Sequence, residues 1–172
     1  MNIEEKYRKL EQILRDMNKV VVAYSGGVDS SFLLKVACNV LKENSMGVMA
    51  ISPSFPSREY EKAISFAKNI GAKLEIIETD ELDDTNYTSN PVNRCYFCKN
   101  ELFNKITSLA GTRGYENLVD GSNQDDLNDH RPGKKALEEK KVRSPLQEAG
   151  LTKSDIRHLS QSLGLSTWNK EE

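Results

Sequence analysis

The run VVVAYSGGVDSSFLLKV, from Val20 to Val36, sets an apolar segment directly against the turn Ser25-Gly26-Gly27-Val28-Asp29-Ser30, and an apolar helical pattern follows without a break. Val20 to Tyr24 is short, β-branched and uninterrupted, the pattern of a strand buried on both faces of a parallel sheet. Ser31 to Leu41 reads as a helix that buries Phe32, Leu33, Val36, Ala37 and Val40. Two adjacent glycines between these elements remove Cβ atoms where the backbone turns, so backbone N–H groups can converge on one point. That point lies at a helix N-terminus, where unpaired donors and the helix dipole favour negative charge.

The turn therefore reads as a phosphate cradle, with Ser25, Ser30 and Ser31 adding hydroxyl donors. Asp29 would repel bare phosphate, so its presence calls for Mg²⁺ between its carboxylate and the phosphate oxygens. The turn is not G-x-x-x-x-G-K-[ST], because no lysine occupies it, and it is not G-x-G-x-x-G. A cradle without its own lysine suits the pyrophosphate end of ATP as a leaving group, with attack on the α-phosphorus and AMP and pyrophosphate as products. The alternative is a tight strand-to-helix turn with a serine cap.

The remainder alternates strand with helix. Ile3, Tyr7, Leu10, Leu14 and Met17 recur at helical spacing. Met46 to Ile51 reads as a second strand. Ser57 offers a helix N-cap, and that helix runs to about Ile70 with Gly71 as its stop. Lys73 to Thr79 reads as a third strand, Asp80 to Pro91 as an acidic loop, and Arg94 to Leu109 as a helix ending near Gly111. Leu118 and Val119 centre a fourth strand that runs into Gly121-Ser122-Asn123-Gln124-Asp125-Asp126. Arg131 to Arg143 is basic, with room for a short helix. Thr152 with Asp155 is a capping-box variant that opens a last helix ending near Gly164. This order predicts an open parallel α/β sheet with helices on both faces. Ligands of such sheets bind at the carboxyl ends of the strands, where both glycine-bearing turns fall.

With 172 residues the chain is long enough for one domain with a real core and short for two. Its net charge of −2 gives no bulk attraction to nucleic acid or to anionic membrane. No apolar run approaches the roughly 20 residues of a membrane span, and the charged N-terminus is not a secretory signal, so a cytoplasmic protein is expected. The three cysteines, an odd count, imply no disulfide framework. Cys38 falls on the buried face of its helix and is expected in the core. Cys95 and Cys98 form a C-x-x-C that can put two thiols on one side of a helix start. They suit either one metal centre or a pair of thiols packed under a loop. A tetrahedral zinc site needs further ligands, and His130 and His158 are remote in sequence and expected at the surface.

Ser25–Ser30 resembles the PP-loop of the N-type ATP pyrophosphatases. Asn90-Pro91-Val92-Asn93-Arg94-Cys95-Tyr96-Phe97-Cys98-Lys99 is similar to a signature of the LarE-like ATP-dependent sulfur transferases. So are Gly121–Asp126, Arg131-Pro132-Gly133 and the stretch Ser144–Lys153, in the family's order and over nearly the whole chain. The resemblance implies an adenine nucleotide alpha hydrolase-like, Rossmann-like fold. It implies adenylation of the carboxylate of a nicotinate-derived mononucleotide and then sulfur transfer, in the making of a nickel-pincer cofactor. Adenine is expected against Ala50, Ile51 and Ser52, with Gly121 letting the fourth strand approach the nucleotide. Asp125 is expected to help hold Mg²⁺ or the ribose, and Asp126 to cap a following turn. Arg94, Lys99, Arg131, Lys134, Lys135 and Arg143 are candidates for screening phosphate charge, with Arg94 and Lys99 favoured because they flank the cysteines.

Some members of the resembled family give up the sulfur of a cysteine; others hold a [4Fe-4S] cluster on three cysteines. In the family, text similar to Gly164–Glu172 leads into a further cysteine and a C-terminal domain. The chain is thus expected to be a single ATP-pyrophosphatase domain without that part, partnered by a small-molecule nucleotide and open to a homo-oligomer or a separate C-terminal half. Two other readings stay open: another adenylating PP-loop enzyme, for tRNA thiolation or amide formation, and a nucleotide-binding module without full activity.

Overall fold

The computed structural model describes residues 2–51, 57–78, 104–115, 117–128 and 142–170. Among these residues four strands form one sheet in the order β3-β2-β1-β4. They are β1 (Val20–Ala23), β2 (Ser45–Ile51), β3 (Leu74–Glu78) and β4 (Asn117–Val119). All the pairings are parallel, with Val22 beside Gly47 on one flank and beside Val119 on the other. Chain order runs outward from β1 through β2 to β3, then returns to place β4 on the opposite side of β1. The strand order therefore reverses at the β1/β4 boundary, which opens a crevice outside the carboxyl ends of these two strands.

The helices are α1 (Ile3–Met17), α2 (Val28–Leu41), α3 (Ser57–Asn69), α4 (residues 104–112), α5 (Pro145–Glu148) and α6 (Lys153–Ser162). Val20 and Val22 of β1 join Leu10, Leu14, Phe32, Leu34, Phe66 and Ile156 in the larger core. Val21 points the other way, among Met46, Val48 and Ile106. All three valines are fully buried, as an uninterrupted β-branched run in a parallel sheet requires. Each contributes roughly 1.5–3 kcal/mol by leaving water. Helices thus cover both faces, as expected.

Element ends differ from expectation by a residue or more. Tyr24 lies beyond β1, and α2 begins at Val28 rather than Ser31, because Gly27 is its extended N-cap. α3 starts at Ser57 itself, so Ser57 is its first helical residue and not its cap. α5 is an element that the sequence pattern does not announce; Pro145 in its first turn presets the helical backbone. The segments 79–103 and 129–141, which hold the expected acidic loop, the cysteine pair and most of the basic stretch, lie outside the described residues.

The capping box of α6 is present as read: the Thr152 side chain accepts from Asp155 N at 3.1 Å and Asp155 Oδ2 accepts from Thr152 N at 3.1 Å. Asp155 Oδ2 also takes the Lys6 ammonium at 2.8 Å, which ties α6 to α1. Burial opposes ionisation of Asp155, but hydrogen bonds from Lys6 and Thr152 outweigh it and hold the carboxyl below its ordinary value. Its stabilising contribution is therefore whole above the ordinary carboxylate range and is lost as pH falls through the lowered value. Replacing Asp155 by Ala is expected to destabilise the fold by about 1–2 kcal/mol near neutral pH. In urea melts, the gap from the parent should close as pH drops below about 4.

Candidate functional site

The loop after β1 is fixed from beneath by Tyr24. Its backbone N–H still pairs with Val48 O at 3.0 Å. Its hydroxyl donates to Ala63 O at 2.7 Å, and its ring stacks on Phe66 at 6.4 Å. Burial pushes the Tyr24 hydroxyl up to about 12, so it remains a donor throughout the range in which proteins are ordinarily handled. Gly26 then adopts φ +87°, and a Cβ there would sit 2.8 Å from Ala63 Cβ. Two independent constraints therefore demand glycine: left-handed backbone and no space.

Ser25 N donates to Ser30 Oγ at 3.1 Å, and the Ser25 and Ser30 hydroxyls lie 3.1 Å apart. Gly27 N reaches Ser25 Oγ at 3.4 Å. No side chain caps α2 at Gly27, so the donors and dipole of the helix's first turn face the crevice, an arrangement that favours an anion.

Asp29, in that first turn, is the electrostatic centre. Its Oδ2 accepts from Lys153 Nζ at 2.6 Å and from Asn123 Nδ2 at 3.2 Å. Lys153 opens α6, beyond its Thr152 cap, and reaches across to α2 from 124 positions away. Asn123 is buried, and each of its polar groups is used: N–H to Asp126 Oδ2 at 2.9 Å, Oδ1 from Asp125 N at 2.8 Å, and C=O from Gln147 Nε2 at 3.2 Å. Beneath it, buried Asp120 accepts from Ser144 Oγ at 2.6 Å and from Ser122 Oγ at 2.8 Å. The loop after β4 is thus a satisfied polar network whose output is one amide aimed at Asp29.

A family model described as NAD synthase matches residues 3–102. The chain belongs to the NAD synthase family. The pyridinium-3,5-bisthiocarboxylic acid mononucleotide synthase of Lactiplantibacillus plantarum is 39% identical over 96% of this chain and 60% of its own length. The chain spans about three-fifths of the length of the curated relatives it matches over nearly its whole extent. NH3-dependent NAD synthetase from Campylobacter jejuni shares the fold with TM-score 0.78 at 18% identity, over 96% of this chain and 75% of that one. The U34-tRNA thiolase NcsA from Methanococcus maripaludis, solved with its [4Fe-4S] cluster, does so with TM-score 0.68 at 22% identity, over 95% of this chain and 64% of that one. At these identities the structural likeness shows the NAD synthase-type fold alone.

On that fold, Ser25, Gly26, Gly27, Val28, Asp29 and Ser30 gather at the carboxyl end of β1, and Gly121 and Asp125 at the end of β4. Ala50, half-buried, lies on the same edge, two residues past the partner of Ala23. Ser31 is set apart from these residues. Its hydroxyl is fully buried and its N–H closes the first turn on Gly27 O at 3.0 Å. Gly121 also serves the packing of α2, since a Cβ there would meet Ser30 N at 3.0 Å and its bareness lets β4 approach the helix backbone. Asp125 takes Lys153 N at 2.9 Å and so helps to seat the lysine.

Arg143 is turned away, paired with Glu148 at 2.6 Å; that hydrogen bond raises its pKa despite partial burial. His158 is exposed. Cys38 is half-buried, its thiol on Ile70 O at 3.7 Å, a structural contact. Ser52, Arg94, Lys99, Cys95, Cys98, Arg131, Lys134 and Lys135 lie outside the described residues. The absence of lysine from the loop, as the sequence reads, is corrected in space: Lys153 stands at its mouth and Lys170 Nζ lies 3.1 Å from Gly26 O. The one sequence signal for Lys153 is its place just after a cap, inside the stretch that resembles the sulfur transferases.

The donor set suits Mg²⁺. Asp29 already holds one cation, and Mg²⁺ bound with phosphates uses one or two carboxylates and waters rather than a protein cage. No three His, Cys, Asp or Glu side chains converge as a metal site among the described residues. In the same set of residues, no helix is long and apolar enough to cross a membrane.

Gly26→Ala is expected to destabilise the protein by about 2–4 kcal/mol, combining left-handed strain with overpacking against Ala63. Ala63→Gly alone should lose about 1 kcal/mol as a helix-interior glycine. The double variant should be more stable than the sum predicts by about 1 kcal/mol, since only the clash is relieved. Additive urea-melt free energies would show that no clash exists.

Proposed function

We propose that the chain is the ATP-pyrophosphatase domain of a LarE-like enzyme that activates a pyridine mononucleotide carboxylate and passes it to sulfur. The observation that carries this reading is the uncapped N-terminus of α2 at the switch point, with Asp29, Lys153 and Asn123 assembled beside it. The relative named as a pyridinium bisthiocarboxylate mononucleotide synthase, 39% identical, supports the choice of acceptor.

In this reading the N–H groups of the loop glycines and of the first turn of α2, Val28 to Ser30, hold the β- and γ-phosphates of ATP. Lys153 neutralises their charge while Asn123 keeps Asp29 oriented. Asp29, with Asp125 nearby, would hold Mg²⁺, which when bound would supply positive charge to the phosphate oxygens. One carboxylate oxygen bonds to the α-phosphorus, the bond to the β-phosphate oxygen breaks, and pyrophosphate leaves with the electron pair. AMP is then the leaving group when sulfur attacks the acyl carbon. Ala50 and Ser52 border the adenine, Gly121 borders the nucleotide, and Arg94 and Lys99 screen the phosphate charge. Cys95 and Cys98 would supply two of the three thiolates of a [4Fe-4S] cluster; Cys38 takes no part. The protein acts in the cytoplasm on a small molecule and not on nucleic acid.

A second reading is favoured by the family match itself: an amide-forming synthetase would use the same adenylation and let ammonia attack instead of sulfur. The two divide on the nucleophile. With ATP, Mg²⁺ and a nicotinate-type mononucleotide, the chain should release pyrophosphate and form the acyl-adenylate, from which AMP leaves only when a nucleophile attacks. Sulfide should then trap a thiocarboxylate under the first reading, and ammonia an amide under the second. ADP and phosphate as products would overturn both. Lys153→Met and Asp29→Asn are each expected to lower pyrophosphate release on the order of 100-fold or more, as for other groups aimed at developing charge.

A further inference from the structure

We infer that Lys170 is a positioning residue that sets the direction of the phosphate-binding peptide between Gly26 and Gly27; this rests on the reading of the α2 N-terminus as a phosphate cradle. Lys170 Nζ donates to Gly26 O at 3.1 Å across 144 positions of sequence. In a trans peptide the C=O and the following N–H point in opposite directions. An ammonium that holds Gly26 O therefore turns Gly27 N–H the other way. There it reaches Ser25 Oγ at 3.4 Å, beside the Ser30 hydroxyl.

That hold answers a weakness in the loop. A peptide between two glycines flips easily, because neither flanking residue has a Cβ to oppose the change. A flip would present a carbonyl oxygen, not a donor, to an incoming phosphate. Gly26 is pinned on its Ala63 side; Lys170 supplies the anchor on the carbonyl.

Lys170 is itself held. Glu59 of α3 lies 3.5 Å from its ammonium. Arg157 of α6 donates to the carbonyls of Trp168 at 2.8 Å and Lys170 at 3.0 Å, which straps the segment after α6 against the body. Beyond the strap, the gap between it and α3, lined by Arg58, Lys62, Thr167 and Asn169, has a volume of about 620 Å³.

The test is calorimetry on the full chain with two probes, inorganic pyrophosphate with Mg²⁺ and adenosine. Lys170→Met should weaken pyrophosphate binding about tenfold or more, the scale of a lost hydrogen bond to a charged group. Adenosine affinity should not change, and Lys170→Arg should restore pyrophosphate affinity. Glu59→Gln, which frees the lysine without touching the loop, should give a smaller loss in the same direction and decides alone if Lys170→Met does not fold. Unchanged pyrophosphate affinity in these variants, or equal loss of both probes, overturns the role of Lys170. A parent protein that binds neither pyrophosphate nor MgATP overturns the cradle itself.

Discussion

The start of α2 is gripped between two close approaches, and the site follows from that grip. On one side Gly26 leaves 2.8 Å for a Cβ that is not there, against Ala63 of α3. On the other, Gly121 leaves 3.0 Å, against Ser30 N. Any side chain at either position would push α2 away from β4 or α3 and would widen the crevice at the point where strand order reverses. The position of the helix end is thus set by contact, not by a cap. Since Gly27 provides no side-chain cap, the donors of that turn are kept for another partner.

A helix end held by close packing would be a weak anion site in water. The charges around it change that. The pair of Asp29 and Lys153 is largely buried, at 15% and 25% side-chain exposure, which separates it from surface ion pairs such as Arg113 with Glu75. An exposed pair contributes little because solvent screens it. A pair shielded to this degree is worth more when whole and is costly to break on one side. Asn123 supplies the additional hydrogen bond that such a pair needs, and it is itself held by Asp126, Asp125 and Gln147. The polar loop after β4 acts as a rigid mount for one carboxylate.

What the sequence discloses and what it withholds divide along a physical line. Periodicity reports burial, so the valines of β1, the apolar face of α2 and the alternation of strand and helix are legible. Caps act within a few residues, so Thr152 with Asp155 is legible too. The turn after β4 is marked by its glycine, but the contact that requires Gly121 to be bare is with α2, some ninety residues earlier, and no local pattern carries that. Lys153 and Lys170 look like ordinary surface lysines in the sequence; their partners, Asp29 and Gly26, are fixed only once α6 and the strap behind it have packed. The burial of Ser31 escapes a local reading for a related reason: a helix that begins at Val28 instead of Ser31 rotates that serine into the core.

The outsourcing of cations has a consequence for how the site forms. A Walker-type loop carries its lysine within the turn that binds phosphate, so local folding brings donors and charge together. Here the turn contributes glycines, hydroxyls and a carboxylate, while both ammonium groups arrive from the last quarter of the described chain. Partial folding of β1 and α2 would produce a helix end with an aspartate in it and no compensating charge, which repels phosphate. Only when α6 docks on α2, and the segment behind α6 is strapped by Arg157, does the crevice become cationic enough to receive an anion. Under the proposed reading, nucleotide affinity and the closing steps of the fold are linked by mass action: a phosphate ligand would stabilise the docked α6, and whatever loosens α6 would weaken that site from a distance, with no change in the glycine loop itself.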